Sequence, residues 1–484
     1  MSSDSNALPL PVIRRAAPGT ARKTTDAESV IERAEELRRG LTNNFRDEAV
    51  SSIYAEAERI SQRSVHRGDH SAKLDWDQRI DRIVTSPVFG LPLMLLILAV
   101  VFWLTVAGAN VPSAMLATGF FWFEDRAAAL FDAAGAPWWV TGFIWHGVYR
   151  GLAWVVSVML PPMAIFFPLF TILEDLGYLP RVAFNLDFLF KRAGAHGKQA
   201  LTMAMGFGCN AAGIIATRVI NSPRERLIAI LTNNFVPCNG RFPTLIMLAT
   251  IFVGAQFAPS FASFAAAGAV VGIVIVGVIF TLLVSWTLSK TILRGEASAF
   301  TLELPPYRRP GFMRILYTSL IDRTLFVLWR AMLTAAPAGA VIWILGNIIV
   351  GGASLAQHTA NFLNPLGHAI GLDGVILLAY IIAIPANEIV VPTMVMVYLG
   401  GGMMSDMDEF SDLKRLLVDQ NGWTLLTAVN LMLFSLLHNP CATTILTIYK
   451  ETLSKKWATI GALMPLSLAF IVTFVVASVW RWLA

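Results

Sequence analysis

The sequence predicts an all-α polytopic membrane protein: about nine membrane segments, several of them broken helices in two related halves, behind a short helical cytoplasmic arm. Three observations carry this expectation. The first is composition. Of 484 residues, 56% are hydrophobic and 14% charged, with a mean hydropathy of +0.62, whereas soluble globular domains carry about 25% charged residues. The second is charge placement, since residues 1–86 hold 14 Lys/Arg and 14 Asp/Glu while the remaining 398 are sparsely charged. The third is an internal repeat, described below. A secreted disulfide scaffold, a nucleic-acid binder and an ordinary soluble enzyme are excluded at this point. The pI near 9.2 follows from basic loops between apolar spans, as the positive-inside rule expects.

Taken in order, residues 1–24 are rich in Ser, Pro, Ala and Arg without an apolar signal core, and read as a disordered tail. Residues 25–86 form a cytoplasmic arm and hinge. Ile31, Ala34 and Leu37 have helix spacing, with Thr25 or Asp26 as cap. A second amphipathic stretch over 47–64 places Ala49, Ile53, Ala57 and Ile60 on one face. These read as solvated helices on the membrane surface, or as a docking site for a soluble partner. A hinge of mixed charge over 76–82 leads into residues 87–148, a first span (87–108) and an interfacial helix (112–133) carrying Glu124, Asp125 and Arg126.

Further uncharged stretches long enough to cross a bilayer, about 20 residues, occupy 151–173, 264–289, 331–352 and 457–480. Four more apolar segments are interrupted: 199–217, 227–258, 374–400 and 422–449. This assigns 149–290 to a first half, 291–330 to a basic cytoplasmic loop and 331–484 to a second half. That loop holds Arg294, Arg308, Arg309, Arg314, Arg323 and Arg330, and the acidic stretch 406–419 suits the opposite side. The amino terminus is then cytoplasmic.

The repeat joins the broken segments. Gly208-Cys209-Asn210 matches Pro385-Ala386-Asn387 at an offset of 177 residues, and Pro237-Cys238 matches Pro440-Cys441 at an offset of 203. The acidic insertion at 401–420 accounts for the change in offset. Transporters built from repeats place their substrate at the junction of such paired broken helices.

All three cysteines of the chain lie at these breaks, each beside an amide: Cys209 before Asn210, Cys238 before Asn239, and Cys441 after Asn439-Pro440. Singly, each reads as an inert buried thiol. Together they suggest a path, because a break frees backbone carbonyls, and thiols with amide oxygens can replace part of the hydration shell of iron, copper or zinc. Binding along such a path must stay weak enough for release. Glu388 is a carboxylate deep in an uncharged segment, where charge is costly and usually faces a cavity, an ion or a partner; Arg241 is the candidate for a structural ion pair with it. Glu174 and Asp175, ending the 151–173 span, suit a cation-attracting entrance or a plain helix end. Met203, Met205, Met394 and Met396 read as packing first and soft auxiliary ligands second. His66 and His70 have metal-pair spacing, but Gly68 lies between them, and only His438 is near a suspected site.

Several motifs resemble the membrane domain of the FeoB family of ferrous iron transporters. They include Leu173-Glu174-Asp175-Leu176-Gly177-Tyr178-Leu179-Pro180-Arg181, His196-Gly197-Lys198, Gly206-Phe207-Gly208-Cys209-Asn210 and Pro223-Arg224-Glu225-Arg226-Leu227. Cys238 followed by Arg241 and Pro243, Leu302-Glu303-Leu304-Pro305-Pro306-Tyr307, Glu388-Ile389-Val390-Val391 and Asn439-Pro440-Cys441 continue the series. The similarity runs in order over roughly 75–484 and implies two Gate, or nucleoside-recognition-type, halves. It implies that the motif cysteines and Glu388 line an Fe(II) path in the bacterial inner membrane, with Fe(II) as cargo rather than a resident cofactor.

Two departures qualify the resemblance. The family's GTPase motif Gly-x-x-x-x-Gly-Lys-Ser/Thr is absent from these residues. The chain therefore reads as a permease rather than an enzyme, half of a split system with the GTPase on a partner chain docked at the arm, and with a FeoA-like small protein as a further partner. The family pattern Ala-Lys-Glu is replaced by Ala386-Asn387-Glu388, which leaves the acid more available but weakens the inference of metal identity. The expected ligand set is Cys209, Cys238, Cys441, Glu388, Asn210 and Asn387. A permease for nucleosides or another small solute is the alternative, and a non-transporting scaffold a third. The oligomeric state stays open.

Overall fold

The computed structural model describes residues 33, 45–64, 71–86, 89–295, 307–308, 310–402, 404 and 410–483. The chain divides into two units, the first represented by α1 (Phe45–Ser64) and the second by everything from α2 onward. Helix α1 covers the amphipathic stretch expected over 47–64, with Ile53 and Ile60 exposed. The earlier arm helix expected from 26 to 39 lies outside the described residues apart from Arg33, as do His66 and His70.

The second unit opens with α2 (Ser71–Val84), a helix where the hinge was expected. Its end is tied down by Asp81, which accepts from Arg181 Nε at 2.9 Å, Arg181 NH2 at 3.2 Å and the Tyr307 hydroxyl at 2.8 Å. The Arg181 guanidinium also lies 4.0 Å from the Tyr307 ring centroid. Burial pushes the Asp81 carboxyl up, but hydrogen bonds from Arg181 and Tyr307, with the Arg181 charge, bring it below the usual aspartate range.

Helix α3 runs unbroken from Gly90 to Ala133. This corrects the expected separate interfacial helix at 112–133: Pro112 is accommodated inside, and the Ala-rich sequence beyond it favours helix. At 1.5 Å per residue α3 is about 66 Å long, twice the hydrocarbon thickness of about 30 Å. Helix α4 spans Trp138–Asp175 through a π-helical stretch at Gly142–Tyr149. Glu124 of α3 is buried against it, 2.6 Å from His146 Nδ1 and 3.6 Å from Arg150.

Next come α5 (Tyr178–Arg192), α6 (Gln199–Gly208), α7 (Asn210–Ala216), α8 (Pro223–Thr232), α9 (Phe242–Leu248) and α10 (Pro259–Lys290). The basic stretch 291–330 is only partly a loop. Helix α11 begins at Phe312 (Phe312–Tyr317) and passes through a π-helical turn into α12 (Phe326–Asn347). Arg330 sits within α12 and donates to Thr443 O at 3.2 Å and Thr447 Oγ1 at 3.0 Å. A short hairpin pairs Ile349–Val350 with Ala353–Ser354. It leads to α13 (Leu355–Ala369), α14 (Gly374–Ile382), α15 (Val390–Leu399), α16 (Phe410–Lys414), α17 (Leu425–Leu437), α18 (Ala442–Thr452) and α19 (Lys455–Leu483). The part of the acidic stretch described, from Phe410 to Gln420, is helical.

Among the described residues six helices are long and apolar enough to cross a membrane, or seven with the pair α13 and α14, bent by 110°. The nine expected spans exceed this because three of the interrupted segments divide into pieces too short to count alone, while the fourth, α17 with α18, is counted across its break as Leu425–Thr452. Large apolar side chains such as Leu95, Trp103, Ile275, Ile279 and Phe474 face outward, as lipid-facing helices require. Helices α4 and α12 cross at glycines: a Cβ on Gly151 would lie 2.9 Å from Gly339 Cα, and one on Gly339 only 2.4 Å from Gly147 O. Small residues at four-residue spacing are what allows membrane helices this close an approach.

All four interrupted segments break where Gly and Pro predicted. Cys209 separates α6 from α7 with φ −154° and ψ 123°. Ala386, its counterpart at the 177 offset, has φ −152° and ψ 120°. The breaks are also cross-linked alike. Asn239 N donates to Gly208 O at 3.3 Å, and Ala442 N, 203 positions on, donates to Ile384 O at 2.7 Å.

Candidate functional site

Each break turns its side chains inward because an extended residue between two short helices cannot follow either helix's ladder. The four breaks converge on one cavity of about 40 Å³. Its walls include Cys209, Cys238, Cys441, Asn387 and Glu388, with Asn239, Gly240 and Thr443 from the same breaks. Met159 and Met163 of α4, with Val327 and Ala331 of α12, cover it. The three thiols are each partly exposed to the cavity, as is Glu388. Cys441 Sγ lies 3.2 Å from Thr444 Oγ1. Glu388 packs over the neighbouring break: a Cβ on Gly240 would come within 2.2 Å of its Oε1. A space of this size holds about one water-sized species.

The donor set is soft sulfur with one hard carboxylate. Among the described residues, no three His, Cys, Asp or Glu side chains group closely enough to hold a metal ion. The thiols and the acid ring the cavity rather than close on a point.

The alternative weighed for Glu388, an ion pair with Arg241, gives way to a different role for the arginine. Arg241 is buried and NH1 donates to Asn234 O at 2.9 Å and Leu436 O at 2.8 Å. Its NH2 donates to Asn234 Oδ1 at 3.1 Å, His438 O at 3.3 Å and Asn439 O at 3.4 Å. It satisfies carbonyls freed by two breaks nearly 200 residues apart in the chain, which sequence spacing alone does not reveal.

Asn210 does not line the cavity. It is buried beside Asn234, and its amide satisfies Gly206 O and Val236 O once nitrogen and oxygen are exchanged. Glu174 lines a second cavity of about 680 Å³ with Met205, Arg218 and Val327, while Asp175 is exposed and outside it. Val327 borders both cavities. Of the four methionines singled out from the sequence, Met203, Met394 and Met396 are buried in the core. Met159 and Met163 were missed. The signal for them was the Pro161-Pro162 pair between them, inside an otherwise uninterrupted span.

Two family models match the chain. The Gate model, described as nucleoside recognition, matches residues 156–252 and 328–455, and the ferrous iron transport protein B C-terminus model matches 270–322. Over 412 residues the chain is 30% identical to the Fe(2+) transporter FeoB of Staphylococcus aureus (strain MSSA476), covering 83% of this chain and 58% of that protein. FeoB of Campylobacter jejuni is 27% identical over 82% of this chain and 64% of its own length. The Fe(2+) transport protein A/Fe(2+) transporter FeoB fusion protein of Porphyromonas gingivalis is 27% identical over 86% of this chain and 53% of its own. The chain thus spans somewhat over half the length of these FeoB relatives. No solved structure matches it.

Proposed function

We propose that this chain is the permease part of a ferrous iron transporter of the inner membrane, passing Fe(II) between two related halves. The observation that carries the reading is the convergence of Cys209, Cys238, Cys441 and Glu388 on one small cavity. Sulfur favours iron, copper and zinc over magnesium and calcium, and the carboxylate supplies charge. The ligands act transiently: spread around the cavity, they can draw in one at a time and let go, as a path requires. Asn387 contributes an amide oxygen, and Met159 and Met163 are soft auxiliary contacts. The larger cavity with Glu174 is the vestibule, joined to the site past Val327. The finer count of nine spans holds if each broken segment re-enters or crosses as a unit.

The Gate description raises a nucleoside as the alternative cargo. Pockets for organic ligands run to about 300–1,000 Å³, and the space between the thiols is about 40 Å³. A bare or partly hydrated ion suits it and a nucleoside does not.

Any GTP hydrolysis belongs to a partner GTPase, for which α1 is the candidate docking element. The fusion of Fe(2+) transport protein A with FeoB in the Porphyromonas relative supports a FeoA-like small protein as a second partner.

The test is flux into liposomes containing the full chain. Fe2+ uptake is expected to fall at least tenfold in Cys209→Ser and in Glu388→Gln, with both proteins still inserted. Normal uptake in both, or competition by nucleosides and not by Zn2+ or Mn2+, would overturn the reading.

A further inference from the structure

We propose that Val327, together with the ring of Phe166, is an apolar gate between the Glu174 vestibule and the thiol-lined site, and that the gate is shut in this structure. The proposal rests on the two cavities being parts of one cation path.

The small site, about 40 Å³, and the vestibule, about 680 Å³, share one wall residue, Val327 of α12. Its side chain is 4% exposed. It belongs to a buried apolar cluster that includes Met163 of the site wall and Phe170 of the vestibule wall. Cys209, in the site, and Met205, in the vestibule, both pack against that cluster. The partition between the two spaces is therefore made of packed side chains rather than backbone.

Phe166 belongs to the same cluster and bridges the two walls. Its ring stacks on Phe170 at 5.6 Å between centroids. Its edge lies over Gly208, where a Cβ would fall 2.1 Å from the ring's Cε1. The bare glycine beside Cys209 lets the ring seat against the break itself. Val327, Phe166 and Phe170 offer an ion neither charge nor a donor atom. A cation leaving the vestibule would have to shed water with nothing to replace it, and such apolar constrictions gate pores by excluding water.

The helix carrying Val327 also has the means to move it. A π-helical turn, Thr318–Leu325, ends two residues before Val327. Within the turn Thr324 Oγ1 donates to Ser319 O at 2.9 Å, and Ser319 Oγ donates to Thr171 Oγ1 of α4 at 3.1 Å. Single π turns within α-helices recur at functional sites. Sliding such a turn along the helix rotates each side chain it passes by about 100° without unwinding the helix. Val327 is the first wall residue of the site that it would reach.

The experiment uses Val327→Thr, which keeps the branched shape and adds a hydroxyl, and Val327→Phe, which enlarges the plug. Neither alters a proposed ligand. Fe2+ uptake by the full chain in liposomes is expected to rise about fivefold in maximal rate for Val327→Thr and to fall roughly tenfold for Val327→Phe, with KM unchanged in both. Val327→Ile, a milder enlargement that should also slow uptake, covers the case in which the Phe variant fails to fold. A second readout needs no iron: the rate at which Hg2+ modifies the three cysteines of the full chain in detergent, followed by intact mass. It should rise in Val327→Thr and fall in Val327→Phe, whereas a merely structural role would move both variants the same way. Uptake and mercury rates that stay at parent values in a folded Val327→Thr protein, or that shift in the same direction in both variants, would overturn the gate. Mercury rates shifting in opposite directions in a chain that passes no Fe2+ would overturn the iron reading instead and leave the gate standing.

Discussion

Gly240→Ala isolates the carboxylate from the fold. The added Cβ would lie 2.2 Å from Glu388 Oε1 and 2.5 Å from its Cδ. Ordinary contact begins near 3.4 Å, so the carboxylate must retreat by about 1.2 Å. The Gly240 backbone has no positive φ, and Ala there carries no conformational penalty of its own. The yielding atoms end a flexible side chain, so the folding cost is small. The cost at the site is larger. At an effective dielectric of about 20, withdrawing a carboxylate by about 1 Å from contact with a divalent ion removes several kcal/mol. Water refills part of the gap, leaving roughly a ten- to hundredfold loss in apparent affinity. Liposome uptake of Fe2+ gives the KM, and thermal unfolding in detergent checks the fold. The control is Glu388→Ala, on which Gly240→Ala is expected to add nothing. Parent-like uptake by Gly240→Ala, or a loss that adds fully to that of Glu388→Ala, would refute the placement of the carboxylate in the path.

Three further outcomes follow from the same contacts. While His438 O keeps its bond from Asn234 Nδ2, Arg241→Leu takes the Arg241 donors from the carbonyls of Asn234, Leu436 and Asn439, at about 1–3 kcal/mol for each group left unsatisfied. Its protein should disappear from the membrane, whereas Glu388→Gln protein should not, and equal loss of both would restore the ion pair between them. Gly339→Ala drives a Cβ into the Gly147 carbonyl and should destabilise the α4–α12 crossing by about 1–3 kcal/mol, read as a lower melting temperature. Asp81→Asn weakens the tie to buried Arg181 by about 2–3 kcal/mol near neutral pH. Because the folded Asp81 value is depressed, this stabilisation is present above the ordinary aspartate value of about 3.9. It is lost as pH falls through the lower folded value, so parent and variant stabilities should converge once the pH lies below that folded value.

The helix breaks were legible because their cause is local. Gly208, Pro237, Pro385 and Pro440 weaken the ladder locally, although Pro112 and Pro161-Pro162 are carried inside helices, and the thiols beside the breaks needed no tertiary information to be noticed. Glu388 was legible because a lone carboxylate in apolar text needs a reason. Asn210 and Asn387 look equivalent in the sequence, and only folding separates them, since the carbonyls of Gly206 and Val236 claim one amide while the other residue borders the cavity. The role of Arg241 is set by carbonyls of Leu436 and His438, contributed by the other half. Length misled at α3, where Pro112 is carried inside the helix rather than ending it and the apolar count gave only the part that fits a bilayer. The number of spans was overstated for the converse reason: a segment long enough to cross is not one helix once it is broken.

The two halves are alike in backbone and unlike in chemistry, and that difference would make the proposed cation site directional. Matching torsions at Cys209 and Ala386 and matching hydrogen bonds from Asn239 and Ala442 hold the four breaks in one frame. Onto that frame the first half hangs two thiols and no acid, and the second hangs one thiol, Asn387 and the carboxylate of Glu388. A cation crossing such a cavity meets polarisable, uncharged ligands on one side and charge with hard oxygen on the other. It can exchange between them without ever being held by all at once. A closed tetrahedral cage of the same atoms would bind far more tightly and release too slowly to conduct. The open ring of donors around a space the size of one water is therefore the arrangement that transport, rather than storage or structural binding, requires.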